Sequence, residues 1–156
     1  MVTLEPMSVE TWEQWRVASV RGYAADKVRV GAWPAEGAEA RADREFTELL
    51  PQGLDTPDHE LRSIVNESGE VVGTLWFGPL RERSRSTCFI WDIEVVAEAR
   101  GRGYGRAALL ALEPIARDLG YDAIGLHVVG DNEVARHLYR SSGYMEADVM
   151  MRKTLG

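Results

Sequence analysis

Cysteine is almost missing from this chain: Cys88 is the one thiol in 156 residues, so no internal disulfide can form and no cysteine-based zinc site is available. A single thiol suits a reducing compartment. The first residues, Met1-Val-Thr-Leu-Glu-Pro6, lack the basic-then-apolar pattern of a secretory leader. Long apolar runs are also missing, and the stretch Ala107–Leu112 is far too short to span a bilayer. These absences predict a cytoplasmic protein with no membrane partner. An excess of positive charge is lacking as well: 18 Lys+Arg stand against 25 Asp+Glu, a net charge of −7, which argues against a nucleic-acid partner. His59 and His137 do not cluster with carboxylates at metal-ligand spacing, and no metal is expected. No repeat, low-complexity tract or long Ser/Gly/Pro linker divides the chain.

What is present is the composition of one globular domain, with 45% hydrophobic and 28% charged residues. A chain of this size buries about two-thirds of its unfolded surface without needing a staple. Its charge is uneven. Residues 1–98 carry 10 basic and 18 acidic side chains, whereas residues 99–156 carry 8 and 7. The C-terminal third can therefore handle an anion while the remainder favours something cationic.

The pattern along the chain predicts an α+β domain in the order β-α-α-β-β-β-α-β-α-β. Val2–Glu5 reads as a first strand, and Ser8 as the N-cap of a helix with Trp12, Trp15 and Ser19 on one face and Gly22 near its end. A second helix starts at Pro34 and runs through Glu36–Leu50 until Pro51 stops it. A loop covers residues 52–58. The period then changes to two: Leu61–Val65, the turn Asn66–Gly69 and Val71–Phe77 form a hairpin, followed by the charged connection Arg81–Ser86. Thr87–Val96 is a long strand, residues 105–119 a helix closed by Gly120, Ala123–Val129 a strand and Asn132–Ser141 a short helix. Tyr144–Leu155 closes the chain as a pair of strands or one bent strand. The segment Thr87–Val129 is a β-α-β crossover, so its two strands are expected to be parallel in an otherwise mostly antiparallel sheet.

The informative segment is the turn between the long strand and its helix, Arg100-Gly-Arg-Gly-Tyr-Gly-Arg106. A helix N-terminus offers unpaired N–H groups and the positive end of the macrodipole, which together make an anion site. Glycines let the backbone approach a phosphate, and three arginines in seven residues add charge where the chain as a whole is acidic. A solvated tight turn with incidental arginines is the plainer alternative. A nucleoside-triphosphate loop needs Gly-Lys-Ser/Thr, which is not there. The dinucleotide fingerprint G-x-G-x-x-A is satisfied by Gly103–Ala108, with Asp122 standing 19 residues after Gly103. That fingerprint, however, opens a parallel βαβαβ unit, and only 48 residues follow Ala108.

Arg100-Gly-Arg-Gly-Tyr-Gly105 resembles the Arg/Gln-x-x-Gly-x-Gly/Ala pyrophosphate turn of the GNAT superfamily, the acyl-CoA-dependent N-acetyltransferases. Trp91–Val96 is similar to that family's fourth strand. Asn132-Glu-Val-Ala-Arg-His-Leu-Tyr-Arg-Ser-Ser-Gly-Tyr144 is similar to its Asn-x₂-Ala-x₃-Tyr-x₃-Gly-Phe/Tyr segment. The resemblance covers residues 87–156 and is compatible in layout with residues 1–86. Pro114 departs from it by placing a helix breaker inside the helix.

The resemblance implies a single N-acetyltransferase domain over residues 1–156. Residues 1–86 supply the acceptor-side helices and hairpin, and residues 87–156 the acetyl-CoA-binding core. About four helices would flank a mixed sheet whose central parallel pair splays apart. It implies acetyl-CoA as cosubstrate, bonded along the backbone of Ile93 and Val95. The diphosphate would lie on the turn Arg100, Gly101, Arg102, Gly103, Tyr104, Gly105 and Arg106, with Asn132 as a further contact. Asn132 is equally readable as a plain N-cap. Tyr139 matches the phenol that protonates the leaving thiolate, with packing on the core as its plain alternative.

The base follows from the residues themselves. Asp92 and Glu94 lie two apart on one strand and share a face, with Trp91, Ile93 and Val95 on the other. Carboxylates inside an apolar strand need a cleft or a partner. Glu94 is the first candidate for base or amine anchor, with Asp92 behind it. His127 reads as a structural strand histidine. Met145, Met150 and Met151 read as core filler, Cys88 as a small buried strand residue, and Trp12, Trp15, Trp33 and Trp76 as core, with Trp33 able to line an acceptor pocket. The expected acceptor is a small cationic amine, with a protein N-terminus or lysine, a non-catalytic acyl-CoA sensor and a nucleotide binder as alternatives. A homodimer is left open.

Overall fold

The computed structural model describes residues 1–80 and 86–156, so the expected charged connection lies, apart from Ser86, outside the described residues. Residues Met1–Leu126 make one compact unit and His127–Gly156 a second.

In the first unit the strands are β1 (Val2–Pro6), β2 (Glu60–Asn66), β3 (Val71–Pro79), β4 (Thr87–Val95) and β5 (Ala123–Leu126), and they form one sheet in the order β1-β2-β3-β4-β5. All neighbours are antiparallel except β4 and β5, which run parallel as expected of a β-α-β crossover. The β2–β3 turn is held by Asn66, whose Oδ1 accepts from the Ser68 and Glu70 amides at 3.0 and 2.9 Å.

Helix α1 (Val9–Arg29) starts where Ser8 predicts, with the Ser8 hydroxyl accepting from the Thr11 amide at 3.1 Å. It does not end near Gly22 but continues seven residues further, because Val20 and Ala24 are buried and keep the face packed. That burial outweighs the roughly 1 kcal/mol a mid-helix glycine costs. Helix α2 (Ala38–Leu49) starts later than Pro34 or Glu36, because Gly37 adopts a left-handed φ of +75° that no helix continues through. Its Ala38, Ala42 and Phe46, one turn apart, are buried against α1 and the sheet in a cluster with Trp15, Trp33, Leu61 and Trp76. Helix α3 (Tyr104–Asp118) passes through Pro114 unbroken and packs on β1, β2, β4 and β5 through Ala108, Leu109, Leu112 and Ala116. No helix among the described residues is long and apolar enough to cross a membrane.

The second unit holds α4 (Glu133–Ser141), amphipathic by sequence. The expected strand through Val129 stops at Leu126, and residues 144–156 form no strand. The expectation that Met145, Met150 and Met151 fill the core is overturned with it, Met150 being 96% exposed.

Candidate active site

The site begins where the sheet stops being a sheet. The last β4–β5 pair is Ile90 with Leu126, while β4 runs on to Val95 against β3 alone. Trp91–Val95 is therefore laddered on one side only. The Val96 amide donates to the Val72 carbonyl at 2.9 Å. Alternation along an antiparallel pair then turns the N–H and C=O of Ile93 and Val95 away from β3, towards the unladdered side. These are the two residues expected to offer their backbone to a strand-like ligand. The outward carbonyl of Val95 already accepts from Arg100 Nε at 3.0 Å, and Arg100 Nη2 reaches Glu94 Oε1 at 3.4 Å.

Beyond β4 a short 3₁₀ turn, Ala97–Ala99, leads into the glycine-rich segment. Gly101 and Gly103 take φ of +74° and +85°, and a Cβ at either would meet nothing within 4 Å. The glycines are there for the left-handed backbone, and the surface above them is open. Gly103 precedes α3 without a side chain to cap it, and the first i→i−4 bond of the helix is Ala107 N–H to the Gly103 carbonyl at 3.0 Å. Helices α1, α2 and α4 each carry a glutamate in their first turn, and α3 carries none. Arg100 and Arg102 precede this start in the chain and Arg106 lies in its first turn, Arg102 lying 5.3 Å from the ring centre of Tyr104. The result is a positive helix end with no acidic residue in its first turn.

The two carboxylates of β4 share a face, paired across the ladder with Trp76 and Thr74, but meet different fates. Glu94 is more than half exposed and pairs with Arg100. Asp92 is partly buried, and Trp15 Nε1 donates to its Oδ2 at 2.9 Å. Burial pushes its pKa up to about 6, against the pull of the Trp15 N–H, and the Glu94 charge adds to the rise. The pairing register shifts between Trp76 and Phe77, which leaves Trp91 as an extra residue in β4. That bulge overturns the expected alternation. Trp91 does not point away from Asp92 but stacks on Trp76 at 5.6 Å and meets Phe89 edge-on at 4.8 Å. Its indole N–H is buried with no hydrogen-bond partner among the described residues.

The other candidates separate cleanly. Trp33 is buried, edge-on to Tyr23 at 5.4 Å and under the Arg41 guanidinium at 4.3 Å, so it is a core residue rather than a pocket wall. Cys88 is fully buried and its thiol is pushed up to about 12 by that burial, which makes it unreactive. His59 is also buried, its Nδ1 accepting from Trp76 Nε1 at 3.0 Å. His127 is exposed and lies just past β5 rather than within a strand. No group of three or more potential metal ligands occurs among the described residues.

In the second unit Asn132 caps α4, its Oδ1 accepting from the Ala135 amide at 3.1 Å. Tyr139 is partly buried with its ring 5.8 Å from that of Tyr144. Sequence reasoning missed two contacts, the Trp15–Asp92 hydrogen bond and the Arg100 grip on Val95. The first had a faint signal, since a core tryptophan needs a partner for its N–H.

Residues 12–144 match the family model of the Acetyltransferase (GNAT) family. The chain is 38% identical over 154 residues, 99% of each chain, to the uncharacterized N-acetyltransferase YycN of Bacillus subtilis (strain 168). The crystal structure of YycN from Bacillus subtilis aligns with a TM-score of 0.92 at 37% identity, covering 99% of both chains. The structure of AAC(6')-Iy in complex with the bisubstrate analogue CoA-S-monomethyl-acetylneamine shares the fold with a TM-score of 0.60 at 16% identity over 99% of both chains.

Proposed function

The chain belongs to the acetyltransferase (GNAT) family, and from that premise we propose that it moves an acetyl group from acetyl-CoA to a primary amine on a small cationic molecule, as a single domain over residues 1–156. The observation that carries this reading is the one-sided edge of β4 running straight into the uncapped, glycine-formed start of α3. The edge suits a pantetheine arm, which has amides to pair with Ile93 and Val95 as an added strand would. The helix start suits the diphosphate, on the amides from Arg102 to Arg106 with Arg100 nearby. An outward N–H of the edge polarises the thioester carbonyl as a one-donor oxyanion hole. Asn132 is a second cofactor contact in this reading, compatible with its capping role.

Of the two carboxylates, Asp92 is the better base. The ammonium of the acceptor, with a pKa near ~10, loses a proton to it directly or through water, and Asp92 is ready to accept one above about pH 6. Glu94 serves instead as the counter-charge that places Arg100. The free amine attacks the carbonyl, the C–N bond forms and the C–S bond breaks; the thiolate takes a proton from Tyr139, and the proton that the new amide nitrogen sheds goes through water to restore the phenol. The acidic balance of residues 1–98 favours a cationic acceptor.

The test is thiol release from acetyl-CoA across a panel of amines. Release with a small cationic amine is expected. Asp92→Asn lowers kcat about 100-fold or more, the scale of lost general-base catalysis, and removes the rise in rate around pH 6. Glu94→Gln raises KM for acetyl-CoA and keeps the acid limb of the pH profile, moved slightly down because the Glu94 charge no longer repels that of Asp92. The reverse pattern returns the base to Glu94. Binding of CoA with no thiol release across the panel makes the protein an acyl-CoA-binding module instead.

A further inference from the structure

Asp92 has one protein hydrogen bond to its carboxylate among the described residues, and it comes from 77 positions away in the chain, on a different element. Trp15, on α1, is 5% exposed and is fixed on three sides: stacked with Trp12 at 5.5 Å, tilted on Phe46 at 6.0 Å and edge-on to Trp76 at 5.6 Å. Such a ring has no freedom to turn its N–H elsewhere. A donor held this rigidly fixes the carboxylate it bonds, and it occupies one oxygen while leaving the other. We propose that Trp15 is a positioning residue for the base: its indole N–H pins Asp92 Oδ2, so that Oδ1 is left in a fixed place for the proton of the incoming amine. The inference rests on Asp92 being that base.

The chemistry needs this restraint. A free aspartate spins about its terminal torsion, and only some orientations carry a lone pair towards the amine. Holding a reacting group in attack geometry is where much of a rate enhancement comes from. The N–H also favours the ionised form, offsetting part of the burial that disfavours it. The other groups bearing on this carboxyl are few. Glu94 on the same strand repels its charge and is itself paired with Arg100, while from β3 the facing residue is the uncharged Trp76, whose own N–H is given to His59. Trp15 keeps its own proton throughout and does not join the transfer.

The experiment is carbon-13 NMR of aspartate-labelled full-length protein, with the Asp92 carboxyl resonance identified by its loss in Asp92→Asn, and it needs no acceptor. Trp15→Phe keeps an aromatic ring and removes the N–H. The Asp92 midpoint is expected to rise by about one pH unit, and the acid limb of kcat/KM, read with whichever amine the panel yields, to rise with it while KM for acetyl-CoA stays. Site-specific replacement of Trp15 by benzothienylalanine, which exchanges N–H for sulfur at the same shape, gives the same readout should phenylalanine unfold the chain. A midpoint and acid limb that stay at their wild-type values in a folded variant overturn the proposal. The two readings fail separately: if Asp92→Asn keeps wild-type turnover, the base assignment falls, and if Asp92→Asn is inactive while the Trp15 variants titrate as wild type, only the role of Trp15 falls.

Discussion

The carboxyl of Asp92 holds its proton to about pH 6 because burial disfavours its charge, and that proton is coupled to folding. An aspartate in the unfolded chain ionises near pH 4. Between pH 4 and 6 the folded chain therefore binds the extra proton, and raising the pH through that window lowers stability. The full effect is roughly 3 kcal/mol for two pKa units, present as added stability below pH 4 and gone above pH 6. Asp92→Asn removes this slope while keeping an oxygen for the Trp15 N–H. Urea unfolding from pH 4 to 7 is expected to show a falling profile for the wild-type chain and a flatter one for the variant, which is then the more stable protein at pH 7. Spending stability to keep a carboxylate partly buried is what a working base would explain and a surface residue would not.

At the scale of elements, the junction of β3 and β4 is set by how closely two backbones approach. A Cβ on Gly73 would lie 2.2 Å from the Glu94 carbonyl oxygen, a contact with main chain that cannot swing aside. Gly73→Ala is expected to destabilise the chain by about 1–3 kcal/mol, the usual cost of overpacking, and to loosen the strand that carries Asp92. Denaturant midpoints for stability and the pH profile for the site check both halves. The elements were legible where their signals were local. Ser8, the Asn66–Gly69 turn, the glycine-rich turn and the crossover strands are each written in adjacent residues. The bulge at Trp91 was not, because it depends on register with β3. Neither was the length of α1, where packing overrides Gly22. For the site, the turn and the pair Asp92/Glu94 could be read from spacing, but the different surroundings of the two carboxylates could not. They depend on Trp15 and Arg100, which reach the carboxylates from elsewhere in space.

For the molecule as a whole, ligand binding to the folded state alone gives a direct readout. Acetyl-CoA at 100 times its Kd adds about 2.7 kcal/mol of apparent stability. For a chain of this length that corresponds to a rise in Tm of roughly 5–11 °C. CoA is expected to give a similar rise and NAD or ATP a smaller one. A larger shift with either nucleotide than with CoA would remove the acyl-carrier reading.

The sheet also has a history built into its order. Strands β2 to β5 are added edge by edge as the chain proceeds, with β2 and β3 joined by a four-residue turn, whereas β1 meets β2 only after the chain has closed a long loop holding α1 and α2. Loop closure of that span must be met before any contact rewards it, so β1 is the slow partner in assembly. The carboxylate and the helix that fixes it come together only when α1 docks. Asp92 therefore gains its Trp15 partner late in folding, after the strand that bears it has already formed.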